Sequence, residues 1–226
     1  MTQSFGIVEE KLSEAEFFLG KLCSTNRFSF EAKYYFSAFV SAARSVTLAL
    51  QATLSEVDGF DEWYELARAK LKTDPLAPFF VEIRNDVIHK GVNPLNQATL
   101  THLREDLARQ MHQGKDTHIL VIPSPEIEAE TCLADASDAC RDYLASLVAV
   151  IFDCYDKFRT VVDPRWYFTQ DHFMSQGKTL EDALVELGFS PNWALGALEN
   201  TDTWRVLRSQ QPCCQLNEIF QKYLDR

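Results

Sequence analysis

Apolar residues recur at three- and four-residue spacing along most of the chain, the period of a helix with one face on a core. A first helix is predicted from about Ile7 to Leu22, with Leu12, Ala15, Phe18 and Leu22 on one side. A second starts after Ser29, a natural N-cap, and runs to about Leu54 through Tyr35, Phe36, Phe39, Ala43, Val46 and Leu50. After Asp58-Gly59 a shorter helix carries Phe60, Trp63, Tyr64 and Leu66 up to Leu71. Asp74 caps the next, which tolerates Pro75 and Pro78 in its first turn, holds Phe79 to Lys90 and stops at Gly91 ahead of Pro94. A further helix is expected over Gln97 to Met111, then a short extended segment, His118 to Ile122, closed by Pro123 and Pro125. The longest helical pattern covers Glu126 to about Val162, including Leu133, Ala136, Cys140, Tyr143, Leu144, Leu147, Ile151, Cys154 and Phe158. Beyond Asp163-Pro164 the helical patterns shorten to Leu180–Leu187, Trp193–Leu198 and Leu216–Leu224. The expected class is all-α: a helical bundle over residues 1–163, with a helical extension over 164–226 packed on it.

Composition changes this picture little. With 226 residues, 46% of them hydrophobic, the chain can bury a core without a metal or disulfide framework. The longest apolar run, around Ala145 to Phe152, is too short to span a bilayer, and Met1-Thr2-Gln3-Ser4 lacks the character of a signal peptide, so a cytoplasmic chain with no membrane partner is expected. Six cysteines occur without a CxxC pair and read as free thiols. The net charge of -11 argues against broad electrostatic attachment to nucleic acid, though not against a small basic site. Asp135, Asp138 and Asp142, at spacings of three and four, read as a solvated helix face. His102, His112, His118 and His172 form no metal-ligand pair, and no phosphate-binding or dinucleotide-binding glycine pattern is present, so no metal and no cofactor is expected. Trp166, Trp193 and Trp204 make the C-terminal part unusually aromatic; closure over the bundle explains this, as would a surface for a partner.

Candidate chemistry concentrates in Arg84-Asn85-Asp86-Val87-Ile88-His89. On a helix at about 100° per residue, Phe80, Ile83 and Val87 form an apolar line while Glu82, Asn85, Asp86 and His89 form a polar one. Arg84 falls in a row with Val81 and Ile88 beside the apolar line, so its guanidinium is expected to be partly shielded and in need of an acceptor. His89 lies one turn beyond Asn85, within side-chain reach. A planar cationic fork, an imidazole and an orienting amide are the groups a phosphodiester calls for. The competing reading makes Arg84 a structural partner of Glu82 or another carboxylate, with His89 decorating a helix end.

This hexapeptide resembles the Arg-(four to six residues)-His motif of the HEPN superfamily, including the polar residue directly after the arginine. The helix before it, Glu31-Ala32-Lys33-Tyr34-Tyr35-Phe36-Ser37-Ala38-Phe39-Val40-Ser41-Ala42-Ala43-Arg44, is similar to the aromatic and small-residue helix that precedes the motif in bacterial HEPN-like proteins. The resemblance covers about Phe28 to Phe158. It implies an up-and-down helical bundle that dimerises so that two motifs share a cleft, and a metal-independent endoribonuclease acting as a toxin or in phage defence, with a possible neutralising partner protein. On this resemblance Arg84 holds the scissile phosphate of an RNA substrate, His89 moves protons and Asn85 supports both. The resemblance also admits members that bind nucleotides or partners without cleaving.

Overall fold

The computed structural model describes residues 5–27, 29–97, 118–124, 131–192, 202–211 and 214–225. Over these residues the chain is mostly helical, in keeping with the all-α expectation, and it divides into two compact units. The first comprises residues 1–150 with 219–226, the second residues 151–218. No helix among the described residues is long and apolar enough to cross a membrane.

The first unit holds α1 (Gly6–Ser24), α2 (Glu31–Leu54), α3 (Phe60–Thr73) and α4 (Leu76–Asn85), the last continuing into a π-helical turn (Asp86–Lys90). Strands β1 (Ile119–Pro123) and β2 (Thr131–Asp135) pair antiparallel, Ile119 opposite Asp135 and Pro123 opposite Thr131. Helix α5 (Ala136–Lys157) follows directly. Local chemistry accounts for these boundaries. Ser29 Oγ accepts from the Glu31 backbone N–H at 3.2 Å at the start of α2. Gly59 sits at φ 74° before α3, and Gly91, at φ 66°, ends the π turn in the left-handed region that glycine enters most cheaply.

Of the two expectations about the segment before α5, one holds and one changes. The extended stretch near His118 is a strand, as its apolar run and closing proline imply. Residues 131–135, assigned to the long helix by Leu133 and its neighbours, are its strand partner. Five-residue apolar runs do not distinguish helix from strand, and the ladder to β1 decides the matter. The helix starts at Ala136, with Asp135 Oδ1 accepting from the Ser137 N–H at 2.8 Å as its cap. It ends at Lys157, where Phe158 breaks the run ahead of α6 (Arg159–Val162). The helices expected over Gln97–Met111 and Trp193–Leu198 lie outside the described residues, save Gln97 itself, which is irregular.

Aromatic packing organises the first unit. Phe80 of α4 meets Phe39 of α2 edge to face at 6.1 Å and stacks on Tyr143 of α5 at 4.7 Å, with Phe39 and Phe80 both buried. Offset and edge-on pairs of this kind add about 0.5–1.5 kcal/mol each beyond area burial. Tyr64 of α3 stacks on Phe60 and donates its hydroxyl to the Thr47 carbonyl at 3.1 Å, tying α3 to α2. The last helix, α11 (Asn217–Leu224), belongs to this unit: Lys222 and Tyr223 both reach Glu16 of α1, the tyrosine hydroxyl at 2.5 Å.

The second unit contains α6, α7 (Pro164–Tyr167), α8 (Gln170–Ser175), α9 (Leu180–Glu186) and α10 (Thr203–Ser209). Its core gathers Phe168, Phe173, Ala183, Leu184 and Leu207, with Trp204 against it, while Trp166 is exposed. A capping box between Thr179 and Asp182 starts α9. Asp163, buried, takes the Tyr155 hydroxyl at 2.5 Å and pairs with Arg165 at 3.1 Å.

Candidate functional site

The candidate site stands on α4, and three contacts fix that helix. Asp74 Oδ1 accepts from the Leu76 and Ala77 backbone N–H groups at 2.8 and 3.3 Å. Its other carboxylate oxygen accepts from Ser146 of α5 at 2.5 Å. Phe80 is held between Phe39 and Tyr143. Arg84 follows Phe80 by one turn, so its Cα inherits a rigid position from core packing.

The next turn is not α-helical. Gly91 N–H bonds back to the Asp86 carbonyl, five residues away, and Asp86–Lys90 form a π turn. In an α-helix, side chains five apart diverge by about 140°. An i→i+5 turn widens the helix so that residues five apart come closer to alignment, and such turns are frequent at functional sites. The turn holds His89 and begins two residues after Arg84. Sequence periodicity gives no direct sign of it; the only local hint is two adjacent β-branched residues, Val87 and Ile88, in a helix's final turns.

Arg84 is half-buried, as its row on the helix implies. Its Nη1 donates to Asn85 Oδ1 at 3.2 Å, and its Nε is buried without any acceptor. Among the described residues no carboxylate lies within ion-pair distance of it, so Glu82 is not its partner. Asp86 is instead paired to Lys90 at 2.6 Å, a bond that raises the lysine above its ordinary pKa. The guanidinium therefore faces its surroundings as an uncompensated cation with a buried open donor. Buried polar groups are almost always satisfied, so an unmet donor on a charged side chain is uncommon. Thr53 Oγ1 is also buried without a partner, but a hydroxyl carries no charge to compensate.

The structure thus joins Arg84 to Asn85 by a hydrogen bond. His89 is exposed and bonds to neither of them. Among the described residues no group of three or more His, Cys, Asp or Glu side chains could hold a metal ion. Asp135 caps α5, and Asp138 pairs with Arg141. Of the cysteines, Cys140, Cys154 and Cys214 are buried, Cys132 is half-buried and Cys23 is exposed, all as free thiols; burial pushes Cys154 up to about 12. Cys213 and the residues His102 and His112 lie outside the described part.

A second polar cluster in the same unit went unread in the sequence. His118 is buried; its Nε2 meets the Thr25 carbonyl at 2.9 Å and its Nδ1 meets Asn96 Nδ2 at 3.3 Å. Asn96, at φ 59°, also donates to the Arg27 carbonyl at 3.0 Å and accepts from the Ile119 N–H at 2.9 Å. A neutral imidazole with its proton on Nε2 satisfies both contacts. This clasp joins the loop after α1, the turn after Pro94 and the start of β1, and both ring nitrogens of His118 are engaged in it.

Residues 26–104 match the family model described as bacteriophage lambda protein ea47. The matched stretch takes in α2, α3, α4 and the π turn, and with them Arg84, Asn85 and His89. No curated protein and no solved structure matches the chain.

Proposed function

We propose that this chain is a HEPN-type endoribonuclease that cleaves single-stranded RNA without a metal ion, serving as a toxin or in defence against phage. The observation that carries the reading is Arg84: a half-buried guanidinium with no carboxylate partner among the described residues and a buried Nε without an acceptor, on a helix held by core packing, two residues before a π turn that contains His89. A phosphodiester supplies the missing acceptor, since guanidinium and phosphate match in charge and geometry. The stretch similar to a bacteriophage lambda protein is the one that contains the motif, which supports a phage-related setting.

In this reading the ribose 2′-oxygen attacks the adjacent phosphorus. The new P–O2′ bond forms as the P–O5′ bond breaks, leaving a 2′,3′-cyclic phosphate and a 5′-hydroxyl. Histidine takes the 2′-hydroxyl proton and delivers one to the departing O5′, each transfer contributing about 10²–10⁴-fold. Arg84 meets the charge that gathers on the phosphorane oxygens, an interaction stronger in the transition state than in the ground state. Asn85 holds the guanidinium by the bond already present. Two proton transfers are better served by two imidazoles, so the active form is a homodimer sharing one cleft, with Val81 and the exposed Ile88 beside Arg84 as contact residues. Sedimentation at tens of micromolar showing only monomer would count against that assembly.

The exposure of His89 and its lack of any bond to Arg84 or Asn85 favour a second reading, a non-catalytic HEPN-like module that binds a nucleotide or a partner through Arg84. Labelled RNA incubated with the protein in excess EDTA separates the two. Cleavage abolished by Arg84→Ala and by His89→Ala supports the nuclease. Binding without cleavage, lost only in Arg84→Ala, supports the module.

A further inference from the structure

The clasp around His118 accepts its histidine in one protonation state. The Nε2 atom lies 2.9 Å from the Thr25 carbonyl, which can only accept, so Nε2 carries the proton. The Nδ1 atom lies 3.3 Å from Asn96 Nδ2. Two backbone groups fix the orientation of that amide: Nδ2 donates to the Arg27 carbonyl at 3.0 Å, and Oδ1 accepts from the Ile119 N–H at 2.9 Å. A flip of the amide would set acceptor against acceptor at Arg27 and donor against donor at Ile119. Asn96 therefore presents an N–H to the ring, and Nδ1 must accept.

Nothing bonded to the ring compensates a positive charge there. His118 is buried, and its carbonyl takes the Ala136 N–H at 2.9 Å, which brings the start of α5 into the same junction. The charged residues on the surrounding segments are Arg27 of the loop after α1, Asp135 of β2, Asp138 of α5, and Glu82 and Arg84 of α4, which packs against β1. Asp135 Oδ1 accepts from the Ser137 and Asp138 N–H groups at 2.8 and 3.4 Å, and Asp138 pairs with Arg141. The two ring nitrogens are taken by Thr25 and Asn96, and no carboxylate among the described residues bonds to either.

We propose that His118 is a pH-sensitive catch: a proton on Nδ1 sets that N–H against the Asn96 amide N–H and opens the clasp. The opened or unfolded chain carries an ordinary imidazole, which takes a proton around pH 6.5, while the closed clasp has no place for it. Stability is therefore complete above that range and falls as pH drops through it. One proton bound only by the open form lowers the folding constant by about tenfold for each pH unit below the range. Asn96 follows Gly91, which ends the π turn, by five residues, so opening the clasp frees the chain that leaves the candidate site, whatever that site does.

The test unfolds the full chain with urea from pH 7 to pH 5, beside His118→Gln, which keeps a donor and an acceptor but takes no proton. The wild-type folding constant should fall about tenfold more than that of the variant over this interval. Asn96→Asp, which can accept from a protonated ring, should flatten or reverse the fall. Parallel pH dependence in wild type and His118→Gln overturns the catch, as does a fall in Asn96→Asp as steep as in wild type. Should His118→Gln fail to fold, nitrogen-15 shifts of the wild-type ring decide the matter. At pH 7 they should show the proton on Nε2 and none on Nδ1. A proton on Nδ1 at pH 7, or a doubly protonated ring at pH 5 with the Ile119 N–H still protected from exchange, overturns the proposal.

Discussion

His118 and His89 belong to the same compact unit and offer the same side chain, yet their surroundings are opposite. His118 is buried, and each ring nitrogen has a partner, on the Thr25 carbonyl and on Asn96. His89 is exposed and bonded to none of the described residues, and the guanidinium of Arg84, five residues earlier, keeps a buried N–H without an acceptor. The first cluster is closed: its polar groups are consumed in joining three segments of chain. The second is open: the Nε of Arg84 has no partner, an arrangement that costs stability. Satisfaction of hydrogen bonds, more than residue type, separates the structural histidine from the candidate functional one.

Breaking the closed cluster should have the largest effect on stability. His118→Ala leaves Asn96 and the Thr25 carbonyl short of a partner inside the fold and opens a cavity, a cost of about 3 kcal/mol. Urea denaturation should register it as a lower midpoint with unchanged slope. The same measurement on His89→Ala should stay within about 0.5 kcal/mol of wild type, as an exposed, unbonded side chain implies. Equal losses in the two variants would remove the distinction.

Asp163 extends the comparison to the second unit as another closed group. Burial presses its carboxyl upward, but the bonds from Arg165 and Tyr155 outweigh this and hold it below the ordinary carboxylate value. The unfolded chain therefore binds that proton more readily than the fold does. The stabilisation is complete above the unfolded value of about 4 and is lost as pH falls through the lower folded value. Asp163→Asn should cost about 2 kcal/mol at pH 7, less than a fully buried pair because Arg165 is part-exposed. The difference between variant and wild type should shrink in urea titrations at pH 3.

A smaller effect sharpens the role of the π turn. Gly91 ends it at φ 66° with open space around its Cα, so Gly91→Ala meets no clash and pays only for the left-handed backbone, about 1 kcal/mol. If the turn positions His89, catalysis should fall further than this loss of stability explains, with kcat affected more than KM.

Much of the helical layout could be read from residues that act locally. Ser29 and Asp74 mark helix starts and Gly91 a helix end, and each makes or permits the contact its type implies. The pairing of residues 131–135 with β1 was illegible because it depends on a ladder to a distant segment. The clasp was illegible for the same reason: His118 meets partners 22 and 93 positions away. At the candidate site the partial burial of Arg84 followed from its row beside Phe80 and Ile83. Its lack of a carboxylate did not, because that requires knowing where every acidic side chain ends up. The π turn is a third such case, a change of helical pitch that no α-helical projection contains.

In the proposed function, Arg84, whose buried Nε has no acceptor, meets a scissile RNA phosphate and His89 moves the protons. The most direct measurement is end-group analysis of labelled RNA cut in excess EDTA, run beside an otherwise identical strand with a single 2′-deoxy position at the cleavage site. The account predicts a 2′,3′-cyclic phosphate and a 5′-hydroxyl, no cut at the 2′-deoxy position, and rates at least about 10²-fold lower in Arg84→Ala and His89→Ala. Cleavage that needs added magnesium, proceeds at the 2′-deoxy position, or survives His89→Ala would contradict it.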